Sequence, residues 1–324
     1  MSITSAVGRS TVALIATCAL CAHVAAQTWP DKPVKLIVNF PPGGVADTLA
    51  RAIAPGVSEA IKQSVVVENR PGANGAIGAD AVAKSPADGY TFLVTSGGAM
   101  TVDPFIYSNL PYDTQKDLTA VASLAIVRVF LMINPSVPAK SLNEFVAYAR
   151  ANPGKLSYGS AGSGSSPHLA AEMFKRAATI EATHVPYKGA APALNDLLGG
   201  QVQFMFDPGP ALQHAATGKL TVLAVASAKR ASRYPDVPTL GELGMRVDAD
   251  TTFGVYAPAG VSAAIIERMN REINRALNSP ALVENMARLG GEVAPMTIQE
   301  FVARQAADRA RYGAFVKEAG IKVD

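Results

Sequence analysis

The sequence predicts an α/β protein with two lobes, each a mixed, mainly parallel sheet flanked by helices. Two stretches, residues 36–53 and 156–174, run in the same order through a strand, a glycine-rich loop and a helix start. Strands and helices alternate along much of the chain, as in right-handed β-α-β units. The 324 residues suffice for two ordinary domains, and 49% hydrophobic with 17% charged residues is a globular composition. The two similar loops suggest two lobes that face each other.

Residues 1–26 are predicted to be a secretory signal peptide. Arg9 precedes an apolar run that is too short to span a bilayer, and small residues end the segment. Cys18 and Cys21, the only cysteines of the chain, lie inside this segment, so the mature protein would have no thiol and no disulfide. Thr17 is a poor residue before a lipidated cysteine, and we therefore expect export without a lipid anchor.

The first glycine-rich stretch opens the first lobe. An apolar strand at 36–40 leads into the turn PPGG at 41–44, and Asp47 follows as an acidic cap candidate for a helix. The pair Pro55-Gly56 lies inside the helical pattern and is predicted to break or kink this helix. Further strands are predicted at 64–68 and 90–95, and a third glycine loop at 95–99.

The second glycine-rich stretch, LSYGSAGSGSSPHLAAEMF at 156–174, predicts a short strand, a loop and a helix. Its glycines permit positive φ, Ser165 or Ser166 can cap the helix, and Pro167 suits the first helical position. Unpaired N–H groups and the helix dipole make such a helix start an anion site. We interpret it as a clamp for one carboxylate of a small acid; the alternative is a flexible connection between strand and helix.

The chain is predicted to cross between the lobes twice. The apolar run LAIVRVFLMIN at 124–134 predicts one long strand that leads into the second lobe, and strands at 201–206 and 221–227 complete that lobe. Lobe 1 then comprises 27–125 with 228–324, and lobe 2 comprises 126–227. In the last third, a strand at 252–258 and amphipathic helices at 262–278 and 297–318 are predicted.

Several functional classes lack support in the sequence. The net charge of +3 comes from scattered residues, with no basic block for nucleic acid. His168, His184 and His214 do not have metal-ligand spacing, and no nucleophile elbow or nucleotide-binding loop is present, so no metal, cofactor or catalytic residue is expected. Asp47 and Asp207 could form an acid–base pair, but a helix cap and a strand-end residue are the simpler interpretations.

Seven motifs occur together in one order along residues 29–324. They are PPGGVAD (41–47), VVVENRPGANGAIGAD (65–80), ADGYT (87–91), NPSVPAKS (134–141), ANPGKLSYGSAGSGSSPHLAAEMF (151–174), HVPYKGAAPALNDLLGGQV (184–202) and APAGV (257–261). In this combination the chain resembles the Bug or TctC family of periplasmic solute receptors, which serve tripartite tricarboxylate transporters. The resemblance implies a type II-like Venus flytrap in the periplasm, with two membrane subunits as partners. It also implies a small carboxylate ligand: a di- or tricarboxylate, an acidic amino acid or an aromatic acid.

The resemblance further implies a set of ligand-binding residues in four segments. These are Phe40, Pro42, Gly43, Gly44, Val45, Ala46 and Asp47; Ser96 and Gly97; Ser160, Ala161, Gly162, Ser163, Gly164, Ser165 and His168; and Asp207. Two departures from the family pattern bear on ligand identity: the proline-rich segment DPGPALQ at 207–213, and Phe253 where tryptophan is common.

The sequence therefore predicts a receptor that closes on a carboxylate without altering it. No lysine or arginine occurs in 40–47, 95–100, 157–168 or 203–210, so neutral backbone and hydroxyl donors are expected to hold the anion. The alternatives are an α/β enzyme acting on small acids and a sensory ligand-binding protein.

Overall fold

The computed structural model describes residues 29–323, and the predicted signal peptide lies outside these residues. The strands are β1 (Val34–Val38), β2 (Val65–Asn69), β3 (Thr91–Thr95), β4 (Leu118–Val127), β5 (Phe130–Ile133), β6 (Ser157–Ser160), β7 (Thr183–Pro186), β8 (Phe204–Asp207), β9 (Thr221–Val225), β10 (Thr251–Pro258) and β11 (Glu292–Val293). The helices are α1 (Val45–Ile61), α2 (Ala76–Ala83), α3 (Gly98–Thr101), α4 (Asp103–Ile106), α5 (Leu142–Ala151), α6 (Ser166–Ala178), α7 (Ala190–Leu198), α8 (Leu212–Ala216), α9 (Ala263–Leu277), α10 (Pro280–Arg288) and α11 (Ile298–Ala319).

The strands form two sheets. The first has the order β11-β4-β10-β3-β1-β2, and the second has the order β7-β6-β8-β5-β9. Parallel pairs lie beside the two glycine-rich loops: β1 pairs with β2 and β3, and β6 pairs with β7 and β8. The remaining pairs within the sheets are antiparallel. The predicted class of mixed sheets flanked by helices is confirmed, with a larger antiparallel share than the sequence suggested.

Helix α1 runs without a break through Pro55, so of the two predicted outcomes, a break or a kink, the break does not occur. Its apolar residues Leu49, Ile53 and Val57 recur every four positions and are fully buried against the first sheet. A Cβ built on Gly56 would lie 3.2 Å from the Cβ of Ala276 on α9, so the missing side chain lets the two helices pack closely. The burial of these apolar residues offsets the loss of the helical hydrogen bond that proline cannot donate.

The predicted long strand at 124–134 is two strands in different sheets. β4 ends at Val127 in the first sheet, and β5 begins at Phe130 in the second. Arg128 lies between them, 6% exposed, and its Nη2 donates to Glu292 Oε1 at 3.1 Å. The run at 124–134 therefore does connect the two sheets, but through two separate strands and not through one long strand.

The chain returns to the first sheet through a long segment between β9 and β10. Ala231, Leu240, Val247 and Ala249 of this segment are buried in the apolar cores of the second sheet. We therefore propose that the lobes divide where the sheets do, with residues 228–250 on the second lobe. The predicted helices at 262–278 and 297–318 correspond to α9 and α11, whereas α10 was not predicted.

Helix α11 contacts both lobes. Its Tyr312 and Val316 pack with Leu169 of α6 and with Val102 and Ile106 beside the first sheet. Arg176 on α6 also donates to Glu318 at 3.2 Å. The C-terminal helix therefore holds the two lobes together on one side of the cleft.

Candidate functional site

A cleft of about 310 Å³ lies between the two sheets, at the carboxyl ends of β1, β6 and β8. Such a volume is at the lower end of the range for small-molecule pockets, about 300–1,000 Å³. The first lobe lines it with Phe40, Pro41, Pro42, Gly43, Gly44, Val45, Ala46, Ser96 and Phe253. The second lobe lines it with Ala161, Ser165, Ser166, Pro167, Lys188, Gly189, Ala190, Ala191, Pro192, Leu194, Asp207, Pro208, Pro210 and Gln213.

Helix α1 begins at the cleft without a side-chain cap. Gly44 is its N-cap residue and supplies no side chain, and the first helical hydrogen bond runs from Thr48 N to Gly44 O. The N–H groups of Val45 and Ala46 therefore have no acceptor within the helix. Because the dipole of this 17-residue helix adds partial positive charge, the cleft has an anion-attracting end here.

Asp47 lies in the first turn of α1 and is not among the residues that line the cleft. Its carboxylate accepts hydrogen bonds from Gly43 N at 3.0 Å, from Arg51 Nε at 3.0 Å and from Asn69 Nδ2 at 2.9 Å. Burial pushes the pKa of Asp47 upward, but these hydrogen bonds outweigh burial and hold the pKa below its ordinary value. Asp47 therefore fastens the loop before α1 and does not line the cleft. The prediction that Asp47 caps this helix is wrong, because Gly44 is the N-cap residue and Asp47 lies inside the first turn.

Helix α6 begins at the cleft from the opposite lobe. Ser165 is its N-cap residue, yet the Ser165 hydroxyl donates to Gly162 O at 2.6 Å and caps no helix N–H. The first helical hydrogen bond runs from Leu169 N to Ser165 O, and Pro167 has no N–H. The N–H of Ser166 is therefore free of a helical acceptor at a residue that lines the cleft.

The loop between β6 and α6 lies partly behind the cleft surface. Gly162 and Gly164 have φ of 129° and 82°, as the glycine pattern predicted. The Ser160 hydroxyl contacts the backbone of Gly162 and the ring of His184. His168 is 7% exposed, and its Nδ1 accepts from Gly164 N at 3.0 Å, so it supports the loop from below.

A third helix, α7, also begins at the cleft, and the predicted set did not include it. Gly189 is its N-cap residue with φ of 129° and no side-chain cap. Lys188, immediately before it, is exposed and has no ion-pair partner within residues 29–323. The segments 40–47, 95–100, 157–168 and 203–210 contain no lysine or arginine. Lys188, which lies outside these four segments, nevertheless places one cation at the cleft.

Asp207 ends β8 and is fully buried at the wall of the cleft. Its Oδ1 accepts from Gly209 N and Ala211 N, both at 2.8 Å, while Oδ2 has no partner in the described part of the chain. Burial raises the pKa of Asp207 to about 6, against the two backbone hydrogen bonds that lower it. The unpartnered oxygen suits a hydrogen bond to a group that enters the cleft.

The cleft contains part of the predicted residue set. Phe40, Pro42, Gly43, Gly44, Val45, Ala46, Ser96, Ala161, Ser165 and Asp207 line it, whereas Asp47, Gly97, Ser160, Gly162, Ser163, Gly164 and His168 do not. Phe253 and the 207–213 segment, noted in the sequence as departures, both reach the cleft. Gly189 and Pro192 are residue types common at helix starts, but this signal does not distinguish a helix that begins at a cleft from any other helix.

Enzymatic and metal-binding arrangements have little support in the geometry. Asp47 is bonded to Arg51 and does not face Asp207 across the cleft. Within residues 29–323 no group of histidine, cysteine, aspartate or glutamate side chains could hold a metal ion. In the same residues, none of the helices combines the length and apolar character that a bilayer span requires.

Two α/β lobes joined by crossing segments, with uncapped helix N-termini at the cleft between them, define a solute-binding protein of the periplasmic-binding-protein fold. The profile of the tripartite tricarboxylate transporter family receptor, TctC, matches residues 49–321. The chain belongs to this family, a family of solute-binding receptors, which confirms the resemblance seen in the sequence.

Relatives of this chain include one named protein and two structures with ligands. Protein BugT of Bordetella pertussis is 39% identical over 312 residues, which cover 95% of this chain and 96% of BugT. The structure of Rpa4515 from R. palustris with adipate is similar with a TM-score of 0.86 and 37% identity, covering 91% of this chain and 99% of that one. MatC from Rhodopseudomonas palustris with bound malate is similar with a TM-score of 0.82 and 30% identity, covering 89% and 100%.

Proposed function

We propose that this protein is a periplasmic receptor that binds a small dicarboxylate between its lobes and delivers it to the membrane subunits of a tripartite transporter. The observation that supports this most is the convergence of two uncapped helix N-termini, α1 and α6, on one cleft from opposite lobes. A carboxylate between them accepts hydrogen bonds from N–H groups of both helices. Two relatives in the family were solved with dicarboxylates, adipate and malate.

Ligand-driven closure follows from this arrangement. An anion held by α1 alone makes half of the contacts that it makes when α6 also reaches it. The ligand therefore binds the closed state more tightly and shifts the population toward it. The transporter subunits, in this proposal, recognise that closed state.

The remaining cleft residues suit the far end of a dicarboxylate. Phe40, Phe253, Pro208 and Pro210 provide an apolar wall for a short carbon chain, and Gln213 and Lys188 provide polar groups at its rim. Asp207, with its pKa raised toward 6, either accepts from a ligand hydroxyl or ammonium or donates as a protonated acid. The same site would admit an acidic amino acid or an aromatic acid by the same contacts.

The direct test is ligand identification. Mass spectrometry of small molecules released from gently purified protein should show a carboxylate, and calorimetry with adipate, malate, succinate, citrate, glutamate and nicotinate should rank the candidates. Incubation of the tightest ligand with the protein should return it unchanged. Failure of every carboxylate to bind would overturn the proposed function, and turnover of the ligand would favour an enzyme.

The variant Asp207→Asn distinguishes ligand classes. For an amino acid or a hydroxy acid that donates to Oδ2, affinity should fall by about 1–3 kcal/mol, or roughly 5- to 150-fold. For a plain dicarboxylate, affinity should stay level or improve, because a like charge is removed. Identical binding of every ligand to both proteins would show that Asp207 only supports the 209–211 turn.

A further inference from the structure

The loop between β6 and α6, Ser160 to Ser165, is held from beneath by two stacked imidazole rings. His168 extends from the first turn of α6, and His184 extends from the neighbouring strand β7. Their ring centroids are 4.0 Å apart, with planes inclined by 14°. The ring centroid of Tyr158 on β6 lies 4.9 Å from that of His184 and 6.4 Å from that of His168. Neither histidine lines the cleft.

Each ring bonds one end of the loop. His184 Nε2 lies 2.7 Å from Ser160 Oγ, at the start of the loop. His168 Nδ1 lies 3.0 Å from Gly164 N, near its end. Between these points, Gly162 O accepts from both the hydroxyl and the N–H of Ser165. The two rings thus fix the loop on both sides of Ala161, which lines the cleft, and directly before the N-cap residue of α6.

The hydrogen bonds require an uncharged His168. Gly164 N–H is a donor, so His168 Nδ1 must carry a lone pair, which an imidazolium ion does not have at that atom. Ser160 Oγ also lies 3.1 Å from Gly162 O and 3.2 Å from Gly162 N, and which atom donates in its 2.7 Å contact with His184 Nε2 follows from the tautomer of His184. If both rings were protonated, two positive charges would face each other with ring centroids 4.0 Å apart, which disfavours the doubly charged state.

The charged groups around the rings act in opposite directions, since Glu172 raises the pKa of both rings and Lys175 lowers it. In the described chain the groups that act on both rings are Glu172 and Lys175 of α6, and these two are bonded to each other at 2.6 Å. The Tyr158 hydroxyl also donates to Glu172. Burial lowers the pKa of His168 to about 4 and that of His184 to about 3. Both rings are therefore neutral at neutral pH.

We propose that His168 and His184 are positioning residues for ligand binding: as a neutral stacked pair they hold the 160–165 loop, and with it the N-terminus of α6, in the binding conformation. The proposal rests on the proposed carboxylate-binding function, because it assigns the pair its effect on that site. It assigns neither ring a contact with the ligand.

The test compares isosteric with apolar replacements. His168→Asn keeps an acceptor at the δ position, and His184→Gln keeps a polar group at the ε position, whereas His168→Leu and His184→Leu keep only volume. At pH 7.5, each leucine variant should bind adipate or malate about 10- to 100-fold more weakly than wild type, and the Asn and Gln variants within about threefold. Leucine variants that fold and bind like wild type would overturn the proposal.

A second readout needs no ligand and keeps the test decisive if neither acid binds wild type. Amide hydrogen exchange of Gly164 should be slow in wild type and His168→Asn and fast in His168→Leu, with amides of β4 and β10 unchanged. Nitrogen NMR of the wild-type imidazoles should show neutral rings down to about pH 5. Equal Gly164 exchange in all proteins, or an imidazolium ion at pH 6.5, would contradict the positioning role. Failure of binding in wild type alone would instead count against the proposed function. If a leucine variant does not fold, the NMR measurement and the Asn and Gln variants decide.

Discussion

The loops before α1 and α6 follow the same order of strand, glycine-rich loop and helix start, but they are fastened by opposite chemistry. The loop before α1 is fastened by a carboxylate, Asp47, that is ionised and bonded to Arg51, Asn69 and Gly43 N. The loop before α6 is fastened by neutral rings, His168 and His184. Each arrangement leaves the helix N–H groups at the cleft without a side-chain cap.

The difference shows two ways to support an anion site without placing an unpaired charge at the cleft. Asp47 is negative, but its charge is matched by Arg51 on the far side of the loop, away from the cleft. On the α6 side the support carries no charge at all. In both cases the ligand would meet mainly neutral donors, and the two fastenings should respond differently to substitution, pH and salt.

The largest difference is expected from one alanine placed in each loop. Gly43 and Gly164 share a φ of 82°, so each alanine variant has similar backbone strain. A Cβ on Gly43 meets no atom within 4 Å, whereas a Cβ on Gly164 would overlap Ile106 of the other lobe. Gly164→Ala should therefore weaken dicarboxylate binding about 30-fold more than Gly43→Ala, through about 2 kcal/mol of overpacking against Ile106 in the observed arrangement of the lobes. Calorimetry measures the ratio, and equal losses would show that the lobes close without contact at Gly164.

An effect of similar size, on the free energy of unfolding, is expected from pH. Since the pKa of His168 is lowered in the folded protein, from 6.5 to about 4, the neutral ring contributes stability that is present above pH 6.5 and lost as the pH falls toward 4. The variant His168→Asn lacks this pH-dependent contribution. The free energy of unfolding of wild type, relative to that of the variant, should therefore fall by about 2–3 kcal/mol between pH 6.5 and pH 4. Asp207, with its pKa raised to about 6, acts in the opposite direction in both proteins and cancels in the difference. Denaturant titrations of both proteins at pH 7.5, 5.5 and 4.5 measure this difference. A difference that does not change with pH would show that His168 is not held neutral by the fold.

The carboxylate fastening should give a smaller effect in a separate pH range. Asp47→Ala leaves Gly43 N and Asn69 Nδ2 without their acceptor, so the free energy of unfolding should fall by about 2 kcal/mol at pH 7. Because the pKa of Asp47 is lowered in the fold, its contribution is present above its ordinary value of 3.8 and lost only below it. Unfolding curves of wild type and Asp47→Ala should converge only at a pH below 3.8, whereas the His168 contribution is lost between pH 6.5 and about 4. A loss of the Asp47 contribution already at pH 5 would mean that the ion pair does not hold this loop.

Sequence patterns predicted the two loops well but not the way in which they are fastened. Strand, glycine loop and helix start are local features, and they recur at the expected positions in β1–α1 and β6–α6. The stacking of His168 on His184 depends on the parallel register of β6 and β7, which pairs Tyr158 with His184, and no local pattern specifies that register. The same pairing brings Gly189 and the start of α7 to the cleft, which explains why that segment was missed.

Two further differences have physical causes of the same kind. The run at 124–134 is apolar throughout, so its periodicity gave no sign that Val127 and Phe130 belong to different sheets, although Arg128 marks the break. Pro55 was expected to interrupt α1, but the burial of Leu49, Ile53 and Val57 keeps the helix continuous. Local propensity was overruled by packing in both cases.

The smallest expected effect concerns Lys188, the cation that the four predicted segments did not contain. Lys188 is exposed at the rim, so salt screens its attraction for a ligand carboxylate, and the interaction should contribute less than about 1 kcal/mol. The uncapped helix N-termini lie inside the cleft, where added salt screens them much less. Wild-type affinity for a dicarboxylate should therefore fall by only about threefold between 20 and 200 mM salt, and Lys188→Gln should abolish that dependence while weakening binding by a similar factor at low salt. Lys219→Gln is a matched control, since that lysine is also exposed, has no ion-pair partner within residues 29–323 and does not line the cleft. A collapse of affinity with salt that survives in Lys188→Gln would mean that charged groups, and not the neutral N–H donors of α1 and α6, hold the anion.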